Sequence, residues 1–128
     1  MLPDAPPPLV SVIVPCHNYG RFLAQALDSV RAQDYPTVET VVVDDGSTDD
    51  TTAVAARYPE VRYLRQPNQI MSAARNAGVR ASCGEYVVFL NADDWLLAGG
   101  LAANAALLQQ HPTAAFVAGA YTLVYPDG

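Results

Sequence analysis

The sequence predicts an α/β fold in which a mostly parallel sheet is flanked by helices. Short apolar, β-branched runs alternate with stretches of helical periodicity at least three times along the chain. The runs are nearly continuous in apolar residues, as expected of parallel strands that are covered on both faces. Polar turns follow these runs, and in such sheets ligands bind beyond the carboxyl ends of the strands.

The strands are predicted from short apolar runs. Residues 9–14 form a mostly apolar run that ends at a proline, and residues 38–43 are β-branched and almost uninterrupted. Residues 61–64 and 86–90 are shorter runs of the same kind. Residues 114–125 are expected to hold one or two further strands.

The helices are predicted where apolar residues recur at intervals of three and four. Their expected ranges are 20–33, about 47–57 with Ser47 or Thr48 as the N-cap, 72–80, and 101–108. Gly78 weakens the prediction for the last turn of the third helix. Trp95, which follows the fourth strand, is expected to anchor the core.

The 128 residues suit a single domain, which we place at residues 9–128 after a flexible, proline-rich arm at residues 1–8. No apolar stretch reaches the length of a membrane span, and the arm lacks the features of a signal peptide. The expected compartment is therefore the cytoplasm, and a membrane anchor in a longer parent protein stays open. Cys16 and Cys83 lack metal or disulfide spacing and are interpreted as small buried hydrophobic residues.

The charged residues exclude several classes of protein. The chain contains no lysine, which rules out a P-loop and a Schiff-base enzyme because both need that amine. The formal net charge of −6 does not suit a nucleic-acid partner, which would require cations to meet its phosphates.

Acidic pairs follow two of the predicted strands, Asp44-Asp45 after the second and Asp93-Asp94 after the fourth. Either pair alone is equally well interpreted as an ordinary turn or a solvated loop. Four carboxylates at one sheet edge would raise each other's pKa values unless a cation joined them. The two pairs together therefore favour a divalent cation that is also bound by diphosphate oxygens.

Several segments follow, in order and spacing, the pattern of family 2 glycosyltransferases. They are 10–15 (VSVIVP) with Asn18, 44–49 (DDGSTD), 73–78 (AARNAG), and 84–86 (GEY) with 90–95 (LNADDW). The resemblance covers roughly residues 9–108 and implies an inverting enzyme with a GT-A-type (Rossmann-like) fold. This chain would then be its nucleotide-sugar-binding part.

The resemblance also implies site residues. In such enzymes the loop after the first strand lines the nucleotide pocket, the second Asp of DDGS accepts a hydrogen bond from the base, and a DXD motif holds ribose and metal. Carried over, the nucleotide-binding residues are Pro15, His17, Asn18, Asp45, Arg75, Asn91, Ala92 and Asp93. Asp93 is the expected ligand of Mn²⁺ or Mg²⁺, and Asp94 is expected to support it.

Two positions depart from the family pattern. Asn91 replaces the first Asp of the DXD motif, so this position can bond a ribose hydroxyl but carries no charge. The segment 68–71 (NQIM) stands where relatives commonly have glycines. His17 is interpreted as a pocket-wall residue and not a catalyst. Arg75 is equally well a nucleotide contact or a surface arginine on a helix.

The implied reaction transfers a sugar from a nucleotide-diphosphate sugar, usually a UDP-sugar, to a hydroxyl of a glycan, lipid or other acceptor. After Asp94 the only acidic residue is Asp127, so the general base is expected beyond residue 128 and the chain is interpreted as truncated. A truncated sheet would expose apolar surface or an open edge, which makes self-association plausible.

Three other kinds of protein match parts of this sequence pattern. A binding-only or degenerate homologue is favoured by Asn91 and by the missing base. A phosphoacceptor receiver domain matches in length but requires a lysine late in the sheet. A nucleotidyltransferase would open with a Gly-rich basic loop, where this chain has 15–18 (PCHN).

Overall fold

A computed structural model describes residues 6–125 of the chain. Four parallel strands and four helices alternate along it. They are β1 (Val10–Cys16), α1 (Gly20–Arg31), β2 (Val38–Asp45), α2 (Thr51–Ala55), β3 (Arg62–Gln66), α3 (Met71–Ala81), β4 (Tyr86–Phe89) and α4 (Gly100–Gln110). The strand order is β3-β2-β1-β4, so the chain crosses over between strands as a parallel sheet requires. The predicted fold class is confirmed.

Strands β1 and β2 lie at the centre of the sheet and carry its core on both faces. On one face, Val12 and the alternate residues of β1 pack against apolar residues of α1, α2 and α4, such as Leu23 and Val54. On the other face Ile13, Val41 and Val43 pack against Ala74 of α3. This two-sided burial explains why both strands are nearly continuous in apolar residues.

Gly78 lies inside α3, where the helix crosses the sheet closely. A Cβ added at Gly78 would stand 2.3 Å from Cγ2 of Ile13 and 3.3 Å from Cγ2 of Val43. The last turn of the helix, which Gly78 made less certain in the sequence, is therefore formed. Gly78 lets the helix approach the sheet, and α3 continues to Ala81.

Strand β4 is covered on one face only, and among the described residues it pairs only with β1. Tyr86 and Val88 pack against the larger core cluster, while Val87 and Phe89 on the other face are exposed. The described part of the sheet thus ends in an uncovered strand.

The prediction of one or two strands at residues 114–125 is wrong, because that segment contains no strand in the structure. Its aromatic and β-branched residues suit a strand, but a strand forms only where a neighbour supplies hydrogen bonds. Phe116, Tyr121 and Tyr125 are largely exposed instead.

Three local predictions also need correction. The second helix begins at Thr51 and not near Ser47, because Ser47 and Thr48 are both hydrogen-bonded to Asn18. Trp95 is 38% exposed and does not anchor the core, since it lies in the loop between β4 and α4. Of the two cysteines Cys16 is buried, as expected, whereas Cys83 is exposed.

Only the last three residues of the predicted proline-rich arm are described, and residues 1–5 lie outside the description, as do residues 126–128. Within residues 6–125, every helix is too short or too polar to cross a bilayer.

Candidate functional site

The carboxyl ends of the parallel strands meet at one edge of the sheet and place the predicted site residues there. β1 runs into His17 and Asn18, and β2 ends at Asp45. The loop that carries Asn91 and Asp93 follows β4 on the other side of β1. Since neighbouring strands lie about 5 Å apart, the ends of β2 and β4 are separated by about 10 Å.

A cavity of about 230 Å³ opens at this edge. Its lining residues come from the end of β1, the end of β2, and the start of α3 with the loop before it. They are Pro15, Cys16, His17, Asp45, Asn68, Ile70, Met71 and Ala74. The lining is mainly apolar, and Asp45 is its one carboxylate.

Asp45 is 5% exposed, and its two carboxylate oxygens are used unequally. Oδ1 accepts a hydrogen bond of 2.8 Å from Nε2 of Gln66 and one of 3.0 Å from the backbone N–H of Gln69. None of the described residues donates to Oδ2. The carboxylate is thus fixed through one oxygen, and the other has no donor among the described residues.

His17 and Asn18 join the loop after β1 to the turn after β2. Nδ1 of His17 donates a hydrogen bond of 2.8 Å to the carbonyl oxygen of Asp45, because a carbonyl can only accept. This bond fixes the tautomer, so Nε2 carries no proton in the neutral ring and is an acceptor. Orientation by a backbone carbonyl suits a wall residue of the cavity.

Asn18 has a left-handed backbone, with φ of 55°. Its backbone N–H donates to Oγ of Ser47 at 2.9 Å, and its side-chain oxygen accepts from the N–H of Thr48 at 2.8 Å. Asn18 therefore holds the turn that follows Asp45.

The turn itself requires Gly46, whose φ is 73°. A Cβ at this position would lie 2.6 Å from the backbone nitrogen of Asn68. Gly46 thus allows the loop before α3 to approach Asp45 closely enough for Gln69 to reach its carboxylate.

Asp44 does not line the cavity. Its side chain is fully buried, Oδ1 accepts from the N–H of Ser47 at 2.8 Å, and Oδ2 accepts from Tyr63 and, at 2.8 Å, from Nη1 of Arg65. Burial alone would raise the pKa of Asp44, but these hydrogen bonds and the Arg65 charge hold it below its usual value. Asp44 therefore belongs to a structural ion pair with Arg65 and does not join the other three carboxylates around a cation, as the two acidic pairs had suggested.

Asp49 ties together the starts of two helices. Oδ2 accepts from the N–H of Gly20 at 2.9 Å, and Oδ1 accepts from the N–H of Thr51 at 3.0 Å. The hydroxyl of Thr51 and these backbone donors lower the pKa of Asp49. The first backbone N–H groups of a helix have no partner within the helix. The Asp49 carboxylate accepts from such groups at the starts of α1 and α2, and so fixes the loops that lead into both helices.

Beyond β4, Asn91 is half-buried and Asp93 and Asp94 are exposed, while Ala92 is buried. Oδ1 of Asn91 accepts from Nη2 of Arg75 at 3.3 Å. Arg75 also lies 5.8 Å from the ring centre of Phe89, and its buried Nε has no hydrogen-bond partner among the described residues. Arg75 therefore bridges α3 and the loop after β4, and is more than a surface arginine.

Residues 6–125 contain no group of three or more His, Cys, Asp or Glu side chains that could hold a metal ion. Asp93 and Asp94 are two adjacent carboxylates in the loop after β4. One or two carboxylates are enough for Mg²⁺ where substrate phosphates and water complete its shell.

The model of the family described as "Glycosyl transferase family 2" matches residues 11–124. The chain belongs to this family.

Two similar proteins indicate how the family 2 chain relates to longer ones. It is 41% identical over 91 residues to the glycosyltransferase GlyA of Streptococcus pneumoniae, an alignment that covers 68% of this chain and 13% of GlyA. Another relative, an uncharacterized glycosyltransferase of Nostoc, is 43% identical over 90 residues, or 66% of this chain and 28% of that protein. The chain thus spans less than a third of either relative.

Solved structures share the fold. S. aureus TarS superposes with a TM-score of 0.77 at 32% identity, over 81% of this chain and 33% of TarS, and was also crystallised with UDP-GlcNAc and with UDP. A mannosyltransferase of Pyrobaculum calidifontis, in complex with GDP-Man and Mn²⁺, gives a TM-score of 0.65 at 34% identity, over 69% and 28% of the two chains. The fold of the family 2 chain is therefore of the predicted GT-A type.

The predicted site residues of the family 2 chain fall into two groups. Pro15, His17 and Asp45 line the cavity directly. Asn18 holds the neighbouring turn, whereas Arg75, Asn91, Ala92 and Asp93 do not line this cavity. Gln66 and Gln69 were not predicted, because they reach Asp45 from over 20 residues away and no local motif signals that contact.

Proposed function

We propose that this chain is the donor-binding part of a glycosyltransferase that moves a sugar from a UDP-sugar to an acceptor hydroxyl with the help of a divalent cation. The base would enter the cavity at Asp45. The ribose and diphosphate would extend across the end of β1 towards Asn91 and Asp93.

The observation that carries the proposal is the state of the Asp45 carboxylate. The residue is 5% exposed, and Oδ2 receives no hydrogen bond from the described residues, so this oxygen is free to accept one from a ligand. The imide N–H of uracil is a suitable donor. The apolar wall formed by Pro15, Ile70 and Met71 suits the faces of a flat ring.

The size of the cavity supports the same arrangement. Pockets that enclose a whole drug-sized ligand have volumes of about 300–1,000 Å³. This cavity, at about 230 Å³, would hold the base only. The sugar-diphosphate would then lie outside it, over the exposed loop after β4.

Asp93 would be the metal ligand, supported by Asp94, and the donor set fits Mn²⁺ or Mg²⁺ bound jointly with diphosphate. When bound, such a cation stabilises the negative charge that develops on the departing diphosphate. Asn91 would contact the ribose. Its amide N–H₂ can donate to a ribose hydroxyl, while its side-chain oxygen accepts from Arg75.

The general base that takes the proton from the acceptor would be a carboxylate beyond residue 128. In the described residues after Asp94 there is no acidic side chain. A binding-only homologue is the second candidate, and the neutral Asn91 is the observation that favours it.

Calorimetric titration of UDP, with and without Mn²⁺, tests the proposal. We expect binding that is strengthened by Mn²⁺ in the intact chain and in Asp34→Ala, at an exposed position outside the site, and a loss of the Mn²⁺ effect in Asp93→Ala. UDP binding that ignores Mn²⁺ would favour the binding-only candidate. Unchanged Mn²⁺ dependence in Asp93→Ala would contradict the ligand assignment.

The variant Asp45→Asn tests the base contact. Gln66 and Gln69 both donate, so they hold the amide oxygen at the Oδ1 position and turn the amide N–H₂ to the cavity. We expect UDP affinity to fall by about tenfold or more, as for a lost charge-assisted hydrogen bond. CDP affinity should rise, because cytosine presents an acceptor at N3. Asp34→Asn, at an exposed position, is the matched control.

A further inference from the structure

We propose that Gln66 is a specificity-determining residue that makes this site select a base with a single N–H, such as uracil, over guanine. The inference rests on the proposed function, because it concerns the ligand of the same carboxylate. The Gln66 side chain was not among the residues that sequence motifs indicate.

The first step is the capacity of the Asp45 carboxylate. Each carboxylate oxygen has about two lone-pair directions for hydrogen bonds. Oδ1 already accepts from Nε2 of Gln66 at 2.8 Å and from the N–H of Gln69 at 3.0 Å. Oδ1 is therefore full, and a ligand can use Oδ2 alone.

The second step is the chemistry of the bases. Guanine presents two neighbouring donors, its N1–H and N2–H₂, which fit a carboxylate when each oxygen takes one. Uracil presents one donor, N3–H, between two carbonyl groups. A carboxylate with one free oxygen pairs the single N–H of uracil, whereas guanine would leave one of its two donors without a carboxylate oxygen.

The third step assigns the effect to Gln66. Gln66 is the register partner of Asp45 at the end of β3, so its side chain projects on the same face of the sheet and reaches Oδ1. The other donor to Oδ1 is a backbone N–H, which every residue except proline supplies at position 69. Only the side chain at position 66 can therefore change the number of donors on this oxygen.

The test is a pair of titrations, UDP and GDP, each with Mn²⁺, on the intact chain and on Gln66→Met. Methionine keeps the length of the side chain and removes the donor. We expect the intact chain to bind UDP at least about tenfold tighter than GDP, the ratio set by one charge-assisted hydrogen bond. In Gln66→Met this ratio should fall several-fold through tighter GDP binding.

Gln66→Ala removes the same donor with a smaller side chain and is the second variant, and Gln25→Met, at an exposed position of α1, is the control that should keep the ratio. Because each ratio compares two ligands on one protein, a general loss of folded protein cancels. Equal affinities in the intact chain, or an unchanged ratio in both Gln66 variants, would overturn this proposal alone. Failure of both nucleotides to bind the intact chain would overturn the proposed function as well.

Discussion

The side-chain oxygen of Asn18 accepts a hydrogen bond of 2.8 Å from the backbone N–H of Thr48, a residue 30 positions away. The bond joins the loop after β1 to the turn after β2, and the cavity lies between these two segments and α3. The shape of the cavity therefore depends on a contact outside its lining.

Two substitutions at Asn18 distinguish the stability contributed by its side chain from the stability that depends on its left-handed backbone. Asn18→Gly keeps the left-handed backbone and loses the bond to Thr48, so we expect a loss of about 1 kcal/mol of unfolding free energy. Asn18→Ala should lose about 1–2 kcal/mol more, because alanine is strained at a φ of 55°. Urea denaturation measures both values, and equal stability of the two variants would contradict the strain.

The Asp44 ion pair predicts how stability depends on pH. The folded-state pKa of Asp44 lies below its ordinary value of 3.8. Its ionised form therefore stabilises the fold above that value, and the contribution is lost as the pH falls through 3.8 towards the folded-state pKa. Asp49, with its pKa lowered in the same way, adds to this acid sensitivity.

We expect Asp44→Asn to lower the unfolding free energy at pH 7 by about 1–3 kcal/mol, since it removes the charge that Tyr63 and Arg65 face. The variant should also lose less stability than the intact chain between pH 5 and pH 3, in urea denaturation at a series of pH values. Asp34→Asn, at an exposed site, should track the intact chain. If the unfolding free energies of Asp44→Asn and the intact chain fell in parallel with pH, the lowered pKa of Asp44 would be refuted.

Gly78 tests the close packing of α3 on the sheet. Alanine is the better helix former, but its Cβ would meet Cγ2 of Ile13 at 2.3 Å, so we expect Gly78→Ala to destabilise by about 1–3 kcal/mol. Gly100→Ala in α4 is the matched control, because a Cβ there meets no atom within 4 Å. It should be neutral or slightly stabilising in thermal denaturation.

The double variant Gly78→Ala with Ile13→Ala removes the clashing methyl group. Its loss of stability should be smaller than the sum of the two single losses, which is the sign of a shared contact. Strict additivity would show that Gly78 acts through helix propensity or the unfolded chain instead.

The fold was predictable from sequence where burial and local period agree. Residues of β1 and β2 are buried on both faces, so their apolar runs predict strands directly, and the spacing of Ala26, Leu27 and Val30 predicts α1. Residues 114–125 carry a similar local signal, yet they form no strand because pairing depends on a neighbour that no local pattern reveals.

The site was predictable only in part, for a related reason. Motifs placed Asp45 and the loop after β1 at one edge of the sheet. The family resemblance singled out Asp45, but no motif indicated that Asp44 is held by Tyr63 and Arg65 on β3. The contacts of Gln66 and Gln69 depend likewise on which strands are neighbours.

The exposed face of β4 has a practical consequence for work on this chain in solution. Val87 and Phe89 stand uncovered beside backbone N–H and C=O groups that, within residues 6–125, no further strand pairs. Such an edge is a template for sheet growth between molecules. We expect nucleotide titrations to depend on protein concentration. Val87→Lys should keep the molecules apart without contacting the cavity at the strand ends.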